Sequence, residues 1–147
     1  MKTIGELNYF DGTDGISLNE FTIEDIIKAI DLMNGDDISG VDIDFSNCGE
    51  EICILSVGGG EKDKYVCQLH KAGEEYMLLS SGNKEELLEI VQDFGCDVQT
   101  GIFPGNYVST YDEIIEVTKE FYKTKKIDSK HQWIKKSEMN FYPWEID

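Results

Sequence analysis

The sequence predicts an α+β fold, a single domain in which an antiparallel β-sheet meander is packed by two main α-helices. Three observations carry the prediction. Apolar residues recur at helical spacing in two stretches, near 23–33 and 111–122. Between 41 and 81 the period falls to two, in runs short enough to be strands. Those runs are separated by brief polar or glycine-rich turns, which suit hairpins and leave no room for helical crossovers. The 147 residues fit one domain, 1–147, and a domain of that size buries roughly 68–70% of its unfolded surface. No internal repeat, linker or low-complexity stretch divides the chain.

In order along the chain, residues 1–20 are mixed. Asp11-Gly12 and Asp14-Gly15 mark turns, and Ile4, Leu7, Tyr9 and Phe10 could form a short first strand. Thr22 is an N-cap with Asp25 three residues on. Ile23, Ile26, Ile27, Ile30 and Met33 then share a helix face, and Gly35 follows the end. Val41, Ile43 and Phe45 alternate with Asp42 and Asp44, predicting a strand with one face on the core and a carboxylate face towards water. Residues 52–57, 65–70 and 75–81 form the three-stranded meander, the first turn carrying Gly58, Gly59 and Gly60. A short turn and a strand are expected over 84–94, and a loop from 95 to 105, where Pro104 disfavours a central strand. Thr110 and Glu113 make a capping box for the second helix, which buries Tyr111, Ile114, Ile115, Thr118, Phe121 and Tyr122. Its first turn is acidic and Lys123, Lys125 and Lys126 close it, complementing the helix dipole. The aromatic C-terminal arm, from Trp133 through Phe141, Tyr142, Pro143 and Trp144, is expected as a strand or extended segment packed over the sheet, or else as a surface of aromatic anchors.

Charge narrows the function. Residues 1–118 hold twenty-five carboxylates and six lysines, a charge of −19; residues 119–147 hold seven lysines and five carboxylates, a charge of +2. The total is −17, and arginine is absent. Such a field repels phosphate backbones and anionic lipid, so neither nucleic acid nor a membrane is expected as a partner; a basic protein is. The 40% hydrophobic content with seven Phe, seven Tyr and two Trp marks a folded chain rather than a disordered acidic one. No apolar run is long enough to span a bilayer and the start lacks a signal-peptide core, so a cytoplasmic location is expected.

Chemistry-bearing patterns are sparse. Cys48, Cys53, Cys67 and Cys96 include no Cys-x-x-Cys pair, and neither His70 nor His131 lies at metal-ligand spacing from them; they read as reduced structural thiols. The triple glycine lacks the Lys-Ser/Thr of a phosphate-binding loop and precedes a strand, so it reads as a turn. Acid pairs are too many for any one to mark acid–base catalysis, and 36–44 lacks the order of a calcium loop. Cys96, with His70 or His131 as base, is the best isolated nucleophile. No catalysis, cofactor or metal is expected.

A series of segments nonetheless stands out: the capped helix at 22–34; Leu55-Ser56-Val57-Gly58-Gly59-Gly60 leading to Lys64-Tyr65-Val66; Phe103-Pro104-Gly105-Asn106-Tyr107-Val108; the helix ending in Glu120-Phe121-Tyr122; and Trp133 after a polar turn. Over roughly residues 18–135 this resembles the first immunity-protein family of bacterial polymorphic toxin systems, with Gly58, Gly59, Tyr65, Pro104 and Trp133 as structural signature positions. A paired glycine common in the family before the proline segment is missing here, where Gly95 and Gly101 stand apart. The resemblance implies a non-catalytic binder that blocks a cognate toxin domain, nucleases and nucleic-acid deaminases being prominent among such toxins. A toxin of that kind needs a basic cleft, which an acidic protein suits. The turn acids Glu50, Glu51, Glu61, Asp63, Glu74 and Glu75 are the candidate contacts, because loops on a rigid sheet project and adapt. An acidic regulatory module with a basic housekeeping partner is the alternative.

Overall fold

A computed structural model describes residues 3–34, 38, 40–45, 53–60, 63–71, 73–79, 88–92, 100–104, 107–124 and 132–138. Its strands are β1 (Thr3–Phe10), β2 (Gly15–Phe21), β3 (Gly40–Asp44), β4 (Cys53–Gly59), β5 (Tyr65–Lys71), β6 (Glu74–Leu79), β7 (Leu88–Gln92), β8 (Thr100–Pro104) and β9 (Gln132–Lys135). Helices α1 (Ile23–Asp31) and α2 (Tyr111–Thr124) complete the α+β arrangement. Seven strands form one antiparallel sheet in the order β2-β1-β3-β4-β5-β6-β9, while β7 and β8 pair separately.

The expected three-stranded meander is present as β4 to β6, the strand expected from Val41 to Phe45 is present beside it as β3, and α1 and α2 stand where the apolar stripes place them. Thr22 and Asp25 close a reciprocal capping box: Asp25 N–H donates to Thr22 Oγ1 at 3.2 Å and Thr22 N–H to Asp25 Oδ2 at 2.8 Å. Thr110 and Glu113 repeat the pattern on α2, the Glu113 carboxylate accepting from Thr110 N–H at 3.2 Å. The first helix ends at Asp31, short of the expected 34, because Leu32 N–H is shared between the carbonyls of Lys28 and Ala29 and Met33 N–H closes on Ile30.

Several expectations need correction. Residues 15–21 form β2, a strand the mixed composition hides: Ser17 and Asn19 are poor strand formers, and pairing with β1 holds them extended. Residues 100–104 are a strand within the expected loop. Pro104 sits at the end of β8 opposite Leu88, tolerated because every strand of a two-stranded sheet is an edge. Gly58 and Gly59 belong to β4, paired with Val66 and Tyr65, so the strand runs further into the glycines than expected; the positive φ needed for the turn belongs to Gly59 and Gly60. The arm enters the sheet as β9 beside β6, with Trp133 opposite Leu78. Phe141, Tyr142, Pro143 and Trp144 lie outside the described residues, as do Cys48, Cys96 and His131.

One face of the sheet carries Leu7, Val41, Ile43, Leu55, Val57, Cys67 and Leu69, and both helices cover it with Ile26, Ala29, Ile30, Ile114, Val117 and Phe121. Phe45 joins the layers, its ring 5.7 Å from Phe21 and 5.3 Å from Phe121. Gly5 makes room for it: a Cβ there would lie 2.8 Å from the Asp44 carbonyl and 2.9 Å from the Phe45 ring. On the reverse face Val66 and Met77 are buried beneath Tyr107 and Val108, which reach them because Ser109 bridges to Tyr65 through two backbone hydrogen bonds. The rest of the reverse face is mostly polar, with Leu79 and Ile134 flanking that cluster and Ile54 among the polar side chains.

Candidate functional site

That polar half follows from register. Reading across β1, β3, β4, β5 and β6, one row is Glu6, Asp44, Ile54, His70 and Glu75. The neighbouring row, begun by Ser17 of β2, is Asn8, Asp42, Ser56, Gln68 and Met77. Four carboxylates stand in these rows and no lysine does. Apart from the exposed Ser17 and the buried Met77, these side chains are half-buried, held by the rigidity of a sheet whose other face is core.

Local hydrogen bonds orient several of them. Ser56 Oγ donates to Asp42 Oδ1 at 2.6 Å and Asn8 Nδ2 to Glu6 Oε1 at 3.1 Å. Glu75 Oε1 accepts from Gln68 Nε2 at 3.5 Å and lies 3.7 Å from His70 Nδ1. Glu6 and Asp44 face each other directly in register. Opposed like charges on neighbouring strands weaken a sheet by a few tenths to about 1 kcal/mol.

The turn acids separate by place. Glu74 is exposed at the start of β6, after Gly73 with its φ of 83°, and Glu75 belongs to the polar face. Asp63 sits at the other end of the sheet, between β4 and β5, and its carboxylate is committed to structure: Oδ1 accepts the Tyr111 N–H at 2.7 Å at the start of α2, with Asp63 itself at φ 62°. Glu50, Glu51 and Glu61 lie outside the described residues. Of the signature positions, Gly58, Gly59 and Tyr65 are buried at the β4–β5 turn, Trp133 is half-buried on β9 and Pro104 ends β8. The members the sequence reading overlooked are Glu6 and Asn8; their alternation with Leu7 and Tyr9 was the available signal.

Beside Asp63 lies a junction of three segments. Tyr111 Oη donates to Asp31 Oδ1 at 2.5 Å, and the Tyr65 ring packs 6.3 Å from that of Tyr111. The hydrogen bond to Asp31 pushes the Tyr111 phenol up to about 12. Burial, and then the charges of Asp63 and Asp31, raise that of Tyr65. The group is a clamp between α1, the β4–β5 turn and α2.

Among the described residues the thiols do not meet His70. Cys53 and Cys67 are buried and form no disulfide with each other, and both project into the helix-covered core while His70 projects from the reverse face. Burial pushes the Cys67 thiol far up, away from thiolate. Among the described residues no three potential ligands cluster as a metal site, and no helix is long and apolar enough to cross a membrane. The acidic sheet face therefore stands as the candidate site, suited to attracting and orienting a cationic surface. Compared with protein-family models, with curated proteins and with solved structures, the chain finds no match.

Proposed function

We propose that this chain is an immunity protein of a bacterial polymorphic toxin system: a non-catalytic, cytoplasmic binder that neutralises a cognate toxin domain, a nuclease or nucleic-acid deaminase, by covering its basic cleft. The observation that carries the reading is the register of Glu6 against Asp44 within a sheet face holding four carboxylates and no lysine. Such a face is complementary in charge to a surface evolved for phosphates. The segment series from the capped α1 to Trp133 supports a toxin as the source of that surface rather than a housekeeping protein.

Co-expression with the toxic C-terminal domains encoded beside its gene tests the proposal. Cells should survive toxin induction and a stable complex should be recovered from them. Death at the rate seen without the chain, with no complex, overturns the reading. Recovery of a basic housekeeping protein from the native host in place of a toxin would identify an acidic regulatory module instead.

A further inference from the structure

The two edges of the large sheet differ in kind. β9 has four residues, ends in Lys135 and runs straight into a single 3-10 turn at Lys136–Glu138. Shortness, lysine and an abrupt change of backbone direction all discourage a further strand. β2 has seven residues with neither lysine nor proline, and Gly15, Ser17, Asn19 and Glu20 are exposed. Phe10, Tyr9, Asn8 and Leu7 pair residue by residue with Gly15, Ile16, Ser17 and Leu18; the one register irregularity falls on β1 between Ile4 and Leu7. Among the described residues, the only backbone group of β2 engaged outside its ladder with β1 is the Phe21 carbonyl, which accepts from Tyr122 Oη at 3.3 Å. Every second N–H and C=O along the outer side of β2 is thus presented to whatever approaches it.

We propose that the outer edge of β2 accepts an extended basic segment of the partner as an added antiparallel or parallel strand. Charge selects the occupant. Residues 3–27 hold Glu6, Asp11, Asp14, Glu20, Glu24 and Asp25 and no lysine. A second copy of the chain would bring the same six acids against these and be repelled, whereas lysines or arginines on an added strand would be attracted. Alternate side chains of that strand would stand beside Ser17 and continue the row of Asn8 and Asp42, so a cation at every second position matches the acidic sheet face. Main-chain bonds then provide a general grip and the cations provide the choice of partner. The inference borrows from the immunity reading only the identity of the partner.

Amide hydrogen exchange of the full chain tests it, with a short peptide alternating lysine and valine as probe. Controls are the same peptide N-methylated on every backbone amide, and its glutamate counterpart. With the lysine peptide, every second amide between Ile16 and Glu20 should slow by about tenfold or more while those of Trp133 and Ile134 are unchanged. The two controls should leave β2 unchanged. Unaltered β2 exchange, equal protection by the N-methylated peptide, or protection that grows with chain concentration in the absence of peptide would each overturn the proposal. These readings need no toxin, so failed rescue in co-expression and failed strand addition are separate results.

Discussion

Gly60 and Gly15 place opposite demands on a single methyl group. At Gly60, φ is 112° and a Cβ would sit 2.8 Å from the Met33 Cβ, so Gly60→Ala should cost roughly 1–3 kcal/mol in urea unfolding. Gly15 has nothing within 4 Å, and Gly15→Ala should change stability by less than about 0.5 kcal/mol. Tyr111→Phe removes the phenol bond to Asp31 and should cost about 1 kcal/mol at neutral pH. Because the folded phenol is raised to about 12 from its ordinary 10.0, that contribution is complete below pH 10 and disappears as pH rises through 12. The difference between parent and variant should close over that interval, and the tyrosine absorbance titration of the variant should lose the Tyr111 component near 12 while keeping the raised Tyr65. Thr118 buries its hydroxyl with no hydrogen-bond partner among the described residues, so Thr118→Val should leave stability unchanged or raise it by up to about 1 kcal/mol. None of these could be read in the chain alone, because Met33 with Gly60 and Asp31 with Tyr111 become neighbours only when the sheet brings distant segments together.

At the scale of elements, legibility followed periodicity. Thr22, Thr110 and the apolar stripes of α1 and α2 announced both helices, and alternation announced β3 to β6, since each signal is complete within its own segment. β2 and β8 were missed because Ser17, Asn19, Gly101 and Pro104 do not favour strands and extend only against a partner. The same dependence on neighbours concealed the site: Asp42 and Asp44 declared a carboxylate face, but the opposition of Glu6 to Asp44 exists only once β1 is set beside β3. Asp44→Asn removes one of the four carboxylates of the sheet face and should slow association with the proposed toxin partner. A variant that keeps its association rate would remove the sheet face from recognition. Thr22→Ala, by contrast, removes the cap of α1 and should cost about 1 kcal/mol without altering that rate.

For the whole molecule, a charge of −17 makes salt act in two directions. Screening relieves self-repulsion, so thermal stability should rise from low to physiological ionic strength, where the Debye length falls to about 8 Å. Over the same interval the rate of association with the proposed toxin partner should fall steeply; a flat rate would shift recognition from the acids to apolar contacts. Strand order bears on a different moment in the life of the protein. β1 to β6 are consecutive in the chain and adjacent in the sheet, so six of its seven strands can pair once residue 79 has left the ribosome. α2, which contributes Ile114, Val117 and Phe121 to the core, is still being translated then. With synthesis at about 5–20 residues per second, the half-covered sheet waits seconds for its second helix. During that pause Phe45, Leu55 and Leu69 are available to chaperones, and a chain stalled before α2 is one that cellular quality control can recognise.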